Sequence, residues 1–479
     1  MGKLREQYVR AKIVCTIGPS SEHPETLKAM AEAGMDVARV NLSHGNLESH
    51  RRVIEALNEV EGVSTLIDIP GPKIRIGEVD GSVHLKPGDE IHFTTRSIVG
   101  NGDELPVSYG ELAREVRVGR SLYINDGVIE VRVTSVDGDN EGFRGRVVSG
   151  GEVTSHKGVN VPGADLSMRL PTEADLRGIA FGVEVCDWFA ASFIRDRWDV
   201  ENTRNAIEAA GGDQPIISKI EHRDAIENIG EIIKATDGIM VARGDLGIEV
   251  PPWEVPLLQK RIIDECNGAG KPVIVATQML ESMVTNPRPT RAEASDVANA
   301  ILDGADAVML SEETAVGLFP VEAVRVMNSI SQTVERGAPQ SREDGPVEGS
   351  IADVIGSLAS RATATVEPAA IIVVTRSGFT ARMVSKHRPR TRILAVASSE
   401  KVLRRSRLFW GVEPLDVAWT DDRDDLLSRA VVEALSRGYL DERDTVMFVS
   451  GSSLQAPGRT STLEILGVDE VLRHFSGGE

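Results

Sequence analysis

Cysteine is nearly absent: Cys15, Cys186 and Cys266 are the only three in 479 residues, far apart and in no CxxC pair. That spacing argues against a disulfide framework or a zinc centre, and reads each thiol as a small buried apolar group rather than a nucleophile. Long apolar runs are missing too. No stretch approaches the roughly 18 consecutive apolar residues of a membrane span, and the Met1-Gly-Lys-Leu-Arg-Glu start has no apolar signal segment, so a cytoplasmic protein is expected. Lysine is scarce beside arginine, and acid exceeds base to a net charge of -20. This disfavours a nucleic-acid backbone or an anionic membrane as partner, while local basic sites remain able to hold small phosphates. Salt adaptation and genomic bias would both leave such a composition. With 41% hydrophobic and 26% charged residues, the chain is long enough for two or three buried cores, which excludes disordered and fibrous classes.

Short Val/Ile-rich runs alternate with helix-period segments, the signature of repeated βα units. Eight are counted, with strands expected at Lys12–Gly18, Val37–Asn41, Ser64–Asp68, Trp188–Ile194, Pro215–Lys219, Gly238–Ala242, Pro272–Ala276 and Ala307–Leu310. Helices are expected after them at Pro24–Ala33, Leu47–Val60, Thr172–Val183, Val200–Ala210, Arg223–Thr236, Pro256–Ala269, Arg291–Asp303 and Val321–Glu335. About 250 residues in such units is the usual size of a (β/α)8 TIM barrel. The third unit is interrupted. From Lys73 to Val161 the texture changes to short strands broken by Gly, Asp and Asn, which reads as an inserted all-β domain leaving the carboxyl end of strand three, where it can act as a water-excluding lid. Gln340-Ser-Arg-Glu-Asp-Gly-Pro346 reads as a linker, and Ile371–Val374, Ile393–Val396 and Val446–Val449 as strands of a separate α/β sandwich. The expected division is barrel 1–72 and 162–338, lid 73–161, and a C-terminal α/β regulatory domain 346–479.

Two apolar runs end in chemistry. Ile216-Ile-Ser-Lys-Ile-Glu221 and Ala242-Arg-Gly-Asp-Leu-Gly247 bring one lysine and two carboxylates to strand ends. Lys219 supplies a mobile positive charge for a transferring phosphoryl group, Glu221 and Asp245 supply hard oxygen ligands for Mg2+, and the glycines let backbone N–H groups approach an anion. With the Asp237-Gly-Ile-Met-Val lead-in and the Ile248-Glu-Val-Pro follow-on, this spacing closely resembles pyruvate kinase. Arg39-Val-Asn-Leu-Ser-His-Gly45, Ala276-Thr-Gln-Met-Leu-Glu-Ser-Met283 and Pro289-Thr-Arg-Ala-Glu-Ala-Ser-Asp-Val-Ala-Asn-Ala300 fit the same family, so the resemblance runs over most of the chain. Every barrel residue singled out falls at or just past the carboxyl end of a strand. A turn or helix cap explains any one of them, but not the set.

The resemblance implies transfer of the phosphoryl group of phosphoenolpyruvate to ADP through an enolate that is then protonated. It implies Lys219 against the phosphoryl group, Arg39 bridging it, and Glu221 and Asp245 on Mg2+ or Mn2+. The backbone of Gly244 and Asp245, with the Thr277 hydroxyl, would hold the substrate carboxylate. Asn41, Ser43 and Asp68 match the family's monovalent-cation site. Arg75, His44, Asn41, Arg39 and the loop at Pro19 would lie near the nucleotide, His44 reading equally well as a helix-start hydrogen-bonder. Thr277, Ser311 and an ordered water are alternative proton donors or relays for the enolate. A homotetramer is the family precedent.

Departures carry information. Asp68-Ile-Pro-Gly-Pro-Lys-Ile-Arg-Ile76 has a lysine, Lys73, where many members carry glutamate, and the family pattern associates that change with dispensable K+. Ser311-Glu-Glu-Thr-Ala-Val-Gly317 has Glu312 and Val316 where the usual pattern has Gly and Lys. Thr375-Arg-Ser-Gly-Phe-Thr380 joins a strand to a helix expected from about Ala381, a phosphate-binding type of turn at which family members hold phosphorylated effectors. Thr375, Arg376, Ser377, Gly378, Phe379 and Thr380 are the candidate effector residues, with plain helix capping by Thr380 as the alternative. The facing Ser450–Arg459 loop offers one guanidinium, which suits a monophosphate better than a bisphosphate. Two other functions fit parts of the pattern: a metal-dependent aldolase or lyase acting on pyruvate or phosphoenolpyruvate, and a non-catalytic metabolite sensor.

Overall fold

In the computed structural model, residues 8–125, 127–164, 166–337, 349–451 and 460–475 are described. Eight parallel strands close into a barrel: Lys12–Ile17, Val37–Asn41, Ser64–Ile69, Trp188–Ala191, Ile216–Ile220, Gly238–Ala242, Val273–Ala276 and Ala307–Leu310, called barrel strands one to eight. The neighbours follow chain order, and strand eight pairs with strand one through Lys12 to Ala307 and Cys15 to Leu310. These strands are buried on both faces, which is why they read as continuous apolar runs rather than alternating ones. Sequence-local caps start the surrounding helices: Pro24 at the first turn of Pro24–Ala33, and reciprocal capping boxes at Asn46/Ser49, Thr172/Asp175 and Thr290/Glu293.

The insert after strand three forms a six-stranded sheet and a two-stranded sheet around its own core, in which Phe93 and Phe143 stack at 5.0 Å. The C-terminal region carries a five-stranded sheet, parallel except for its last pair, Thr445–Gly451 with Thr460–Gly467. It packs under the barrel. Trp188 meets Phe409 edge-on, Trp188 Nε1 donates to the Arg405 carbonyl, and Arg404 and Arg388 pair with Asp187 and Asp306 at strand beginnings. The carboxyl ends of the strands are thereby left for chemistry. Among the described residues no helix is long and apolar enough to cross a membrane.

Some expectations needed adjustment. Barrel strand four stops at Ala191 instead of running to Ile194, because Phe193 turns into the left-handed region at φ 57°. The helix expected over Arg223–Thr236 is two, Arg223–Glu227 and Ile229–Ala235, with Asn228 ending one and starting the other. The C-terminal sheet has two further strands, Val412–Pro414 and Thr460–Gly467. The helix after the Ala370–Thr375 strand begins at Phe379, two residues early, with Gly378 at φ 82° preceding it. Thr380 therefore lies inside that helix and caps nothing; its hydroxyl bonds Thr460 Oγ1 at 2.8 Å in the interior. The Gln340–Pro346 linker and residues 452–459 of the facing loop lie outside the described residues.

Candidate active site

Four buried charges, Arg39, Asp68, Lys219 and Glu221, meet above strands two, three and five. Lys219 Nζ lies 2.8 Å from Glu221 Oε1 and 3.2 Å from Asp68 Oδ1, and it donates to Ser192 Oγ at 2.8 Å. Asp68 Oδ2 takes both Arg39 Nε and Arg39 Nη2 at 2.8 Å, and Arg39 Nη1 donates to Thr16 Oγ1 at 2.8 Å. Burial alone would lift the Asp68 carboxyl, but Lys219 and Arg39 outweigh it and hold the group below its usual range. Burial would likewise deprotonate Lys219, yet Asp68 and Glu221 raise it, so the side chain remains an ammonium. Glu221 goes the other way. Burial, with the nearby Asp245 charge adding to it, keeps its carboxyl above the usual range against the pull of Lys219. Its second oxygen accepts the Phe193 N–H at 2.8 Å, so the turn that ended strand four is what orients this carboxylate.

Strands six, seven and eight supply the other wall. Asp245 sits in the first turn of the helix Arg243–Glu249, and among the described residues no donor bonds its carboxylate. Thr277 is held at φ 67° and Gln278 at φ 54°. A β-branched residue there stores strain, of order 1–3 kcal/mol, that its surroundings must overrule. Arg243 does part of this, donating to the Thr277 and Gln278 carbonyls at 2.7 and 3.2 Å while pairing with Asp296. The Thr277 hydroxyl donates to the Ala276 carbonyl and accepts the Gly244 N–H at 2.8 Å. Gly244 N–H therefore points at Thr277, and a substrate carboxylate would have to take it over. The Ser311 hydroxyl is buried with no hydrogen-bond partner among the described residues.

Glu221 and Asp245 form a two-carboxylate pair with one member free of protein donors. That suits Mg2+, which keeps several waters and takes one or two carboxylates plus substrate oxygens. Among the described residues no group of three or more His, Cys, Asp or Glu side chains is placed to hold a metal ion.

Comparison with known proteins decides the family. The barrel-domain model of pyruvate kinase matches residues 8–324, and the alpha/beta-domain model of pyruvate kinase matches residues 353–466. A pyruvate kinase of Sporosarcina psychrophila is 41% identical over 480 residues, covering 98% of this chain and 82% of that relative. Pyruvate kinase of Staphylococcus aureus strain USA300 is 40% identical over 479 residues, with the same coverage. The chain belongs to the pyruvate kinase family. It is a phosphotransferase.

The remaining residues expected in a pyruvate kinase site divide into two groups. Asn41 Oδ1 accepts the Ser43 N–H at 3.1 Å beside the Asp68 cluster, and the loop goes on to an exposed His44. Partial burial, then Arg75, Lys73 and Arg39, hold His44 below its usual range while Glu312 opposes them, so these cations and the departing Glu312 share one field. Lys73 makes no ion pair among the described residues. Arg75 donates to the His156 carbonyl of the insert at 2.9 Å. Pro19 is exposed in the turn after strand one, where Gly18 packs against Ala315. The candidate effector residues lie apart from this mouth, in the C-terminal region. Thr375 ends a buried strand, Ser377 is exposed, and Arg376 pairs with Asp421 and lies over the Trp419 ring.

Sequence reasoning missed Thr16, Ser192, Phe193, Arg243 and Glu313. Thr16, Ser192 and Arg243 stand at the carboxyl ends of strands one, four and six, and that shared position was the available signal.

Proposed function

We propose that the chain transfers the phosphoryl group of phosphoenolpyruvate to ADP, giving pyruvate and ATP. The observation that carries this is Lys219, a buried ammonium held between Asp68 and Glu221 at the barrel mouth. A cation fixed in a dry site stabilises charge that develops on a transferring phosphoryl group without reorganising. Arg39 is immobilised through all three guanidinium nitrogens by Asp68 and Thr16, which leaves its two remaining N–H groups as rigid donors for phosphate oxygens. Glu221 and Asp245 would hold a divalent cation, Mg2+ or Mn2+, which when bound supplies Lewis acidity at the substrate oxygens. Gly244, Asp245 and Thr277 bind the substrate carboxylate, with Thr277 exchanging its bond to the Gly244 N–H for the ligand. Thr277 and Ser311 stand on the side from which the enolate is protonated, directly or through an ordered water. His44, Arg75, Asn41, Arg39 and the Pro19 turn receive the nucleotide, under the 73–161 insert as lid.

Three finer readings accompany this one. Lys73 takes over the charge of a free K+ near Asn41, Ser43 and Asp68; the absence of a carboxylate partner among the described residues and the shared cationic field at His44 support it. A phosphorylated effector binds the Thr375–Thr380 turn, supported by the exposed Ser377 and the left-handed Gly378 ahead of a helix. The enzyme is a cytoplasmic homotetramer, in keeping with the exposed Trp253 and Leu257 at 78% and 72%. Initial rates of ATP formation from phosphoenolpyruvate and ADP, with each divalent ion and with or without K+, test the whole. No ATP under any of these conditions refutes it; sedimentation at assay concentrations tests the tetramer.

A further inference from the structure

The phosphoryl side of the mouth is rigid because its charges neutralise one another. The protonation side has no such cluster, yet Thr277 is strained and Ser311 closes a strand that ends in a four-residue helix, Glu312–Ala315. One buried side chain ties the two together. Glu313, 2% exposed, accepts the Leu280 N–H on Oε1 at 2.9 Å and the Ser311 N–H on Oε2 at 2.6 Å. Leu280 ends the short turn that begins at Thr277, so the carboxylate spans the loops after strands seven and eight. Its helix is fastened in turn to strand one, where Thr314 Oγ1 donates to the Thr16 carbonyl at 2.8 Å and Thr16 Oγ1 donates to the Leu310 carbonyl at 3.0 Å. A carboxylate accepting two main-chain N–H groups fixes both more tightly than neutral acceptors would. It also leaves the Ser311 hydroxyl, which has no partner of its own among the described residues, aimed by its backbone alone.

We infer that Glu313 is a positioning residue for the protonation half of the reaction, holding Thr277 and Ser311 in register across two strand ends. This rests on the functional reading above and adds to it a division of labour: Asp68 organises phosphoryl transfer, and Glu313 organises delivery of the proton. Glu313→Gln keeps the volume but turns an amide NH2 toward one of the two N–H donors, so one loop is released. Glu313→Asp keeps the charge and is too short to reach both.

The test separates the two halves. Solvent exchange of the pyruvate methyl protons in D2O, with Mg2+ and inorganic phosphate, follows proton transfer alone. A C–H bond breaks, its electron pair passes into the enolate while the proton passes through the Thr277 and Ser311 hydroxyls or their ordered water to solvent, and a deuteron from solvent returns to carbon. Rapid-quench ATP formation from phosphoenolpyruvate and ADP follows the other half. For Glu313→Gln the exchange rate should fall about 10- to 100-fold, the cost of a small misplacement, while the first-turnover ATP rate at saturating phosphoenolpyruvate stays within about threefold; the phosphoenolpyruvate KM should rise, because Thr277 also binds the substrate carboxylate. Glu313→Asp should lie between, and if the Gln variant fails to fold, Asp decides alone. Exchange at the parent rate in a folded variant overturns the inference. So does equal loss of exchange and first-turnover ATP formation, which marks general damage. A parent chain that neither exchanges protons nor forms ATP overturns the functional reading itself and this inference with it.

Discussion

Replacing Lys219 with methionine removes a charge and little volume, so its effects divide into chemistry and stability. The ammonium makes three contacts, with Glu221, Asp68 and Ser192, and none of these partners reaches solvent freely. Asp68 keeps both of its Arg39 contacts, and Glu221 keeps the Phe193 N–H. Breaking a buried pair by deleting one partner costs about 3–5 kcal/mol, and the retained contacts put this site at about 3. The pH dependence follows from sign. Without Lys219 the Glu221 carboxyl, already raised by burial, rises further; the folded state then binds a proton that the unfolded state has released. The deficit should be small below the ordinary glutamate range and grow as pH rises through the folded value. Catalysis should fall much more than binding, by about 100- to 1,000-fold in kcat if the charge acts as one preorganised transition-state donor. Coupled initial rates give kcat, calorimetry gives phosphoenolpyruvate and Mg2+ affinities, and chemical denaturation at pH 5 and pH 8 gives the deficit. Turnover within a few-fold of the parent would show that Lys219 does not meet the phosphoryl group, whatever the stability result.

Glu221→Gln and Asp245→Asn should each raise the Mg2+ concentration for half-maximal rate about tenfold or more, since each loses a charged oxygen ligand; an unchanged metal titration removes the pair from metal binding. The parent should turn over in buffer free of K+ and NH4+, and Lys73→Glu should create K+ activation; strong K+ activation of the parent refutes the tethered-cation reading. Burial lifts the Glu249 carboxyl from 4.5 to about 7, so the folded state holds a proton that the unfolded state has lost over that window. Stability should fall by up to ~3 kcal/mol as pH climbs through it, and Glu249→Gln, followed by denaturant unfolding against pH, should flatten the fall. Thr375→Ala with Ser377→Ala should abolish any lowering of the half-saturating phosphoenolpyruvate concentration by sugar monophosphates or AMP while sparing maximal rate; a normal response clears the turn of effector binding.

What could be read from the chain was whatever repeats or clusters locally. Barrel strands announce themselves because burial on both faces demands continuous Val and Ile, and the capping boxes at Thr172 and Thr290 sit within four residues of the helices they start. Lys219, Glu221 and Asp245 stood out because charge at the end of an apolar run is expensive without a purpose. Contacts between distant segments were hidden. Thr16 bonds a carbonyl 294 residues away, and Ser192 meets Asp68 across 124, so each looked like an ordinary polar residue. Glu313 was masked by its neighbour: in a Ser-Glu-Glu-Thr string nothing local distinguishes the exposed Glu312 from the buried Glu313. The edge strand Thr460–Gly467 was missed because its polar half-exposed sequence gains strand character from pairing with Thr445–Gly451, and the Asn228 break because apolar period continues on both sides of it.

The charge balance of the mouth explains why its parts are interdependent. Arg39 and Lys219 face Asp68, Glu221 and Asp245, a formal excess of one negative charge around a space meant for an anion. Left so, the site repels a phosphate ester; the Glu221 carboxyl, raised first by burial, is raised further by the neighbouring Asp245 charge. A divalent ion at Glu221 and Asp245 would reverse the sign to a net excess of one positive charge and relieve Glu221. Asp68 serves as the fixed counter-charge that keeps two cations ionised in a buried place, and those cations in turn hold its carboxyl below the usual range. Each charge is stable where it stands only because the others are present. Neutralising Asp68 should therefore disable the site as thoroughly as removing Lys219, because Asp68 is the carboxylate that Arg39 and Lys219 share.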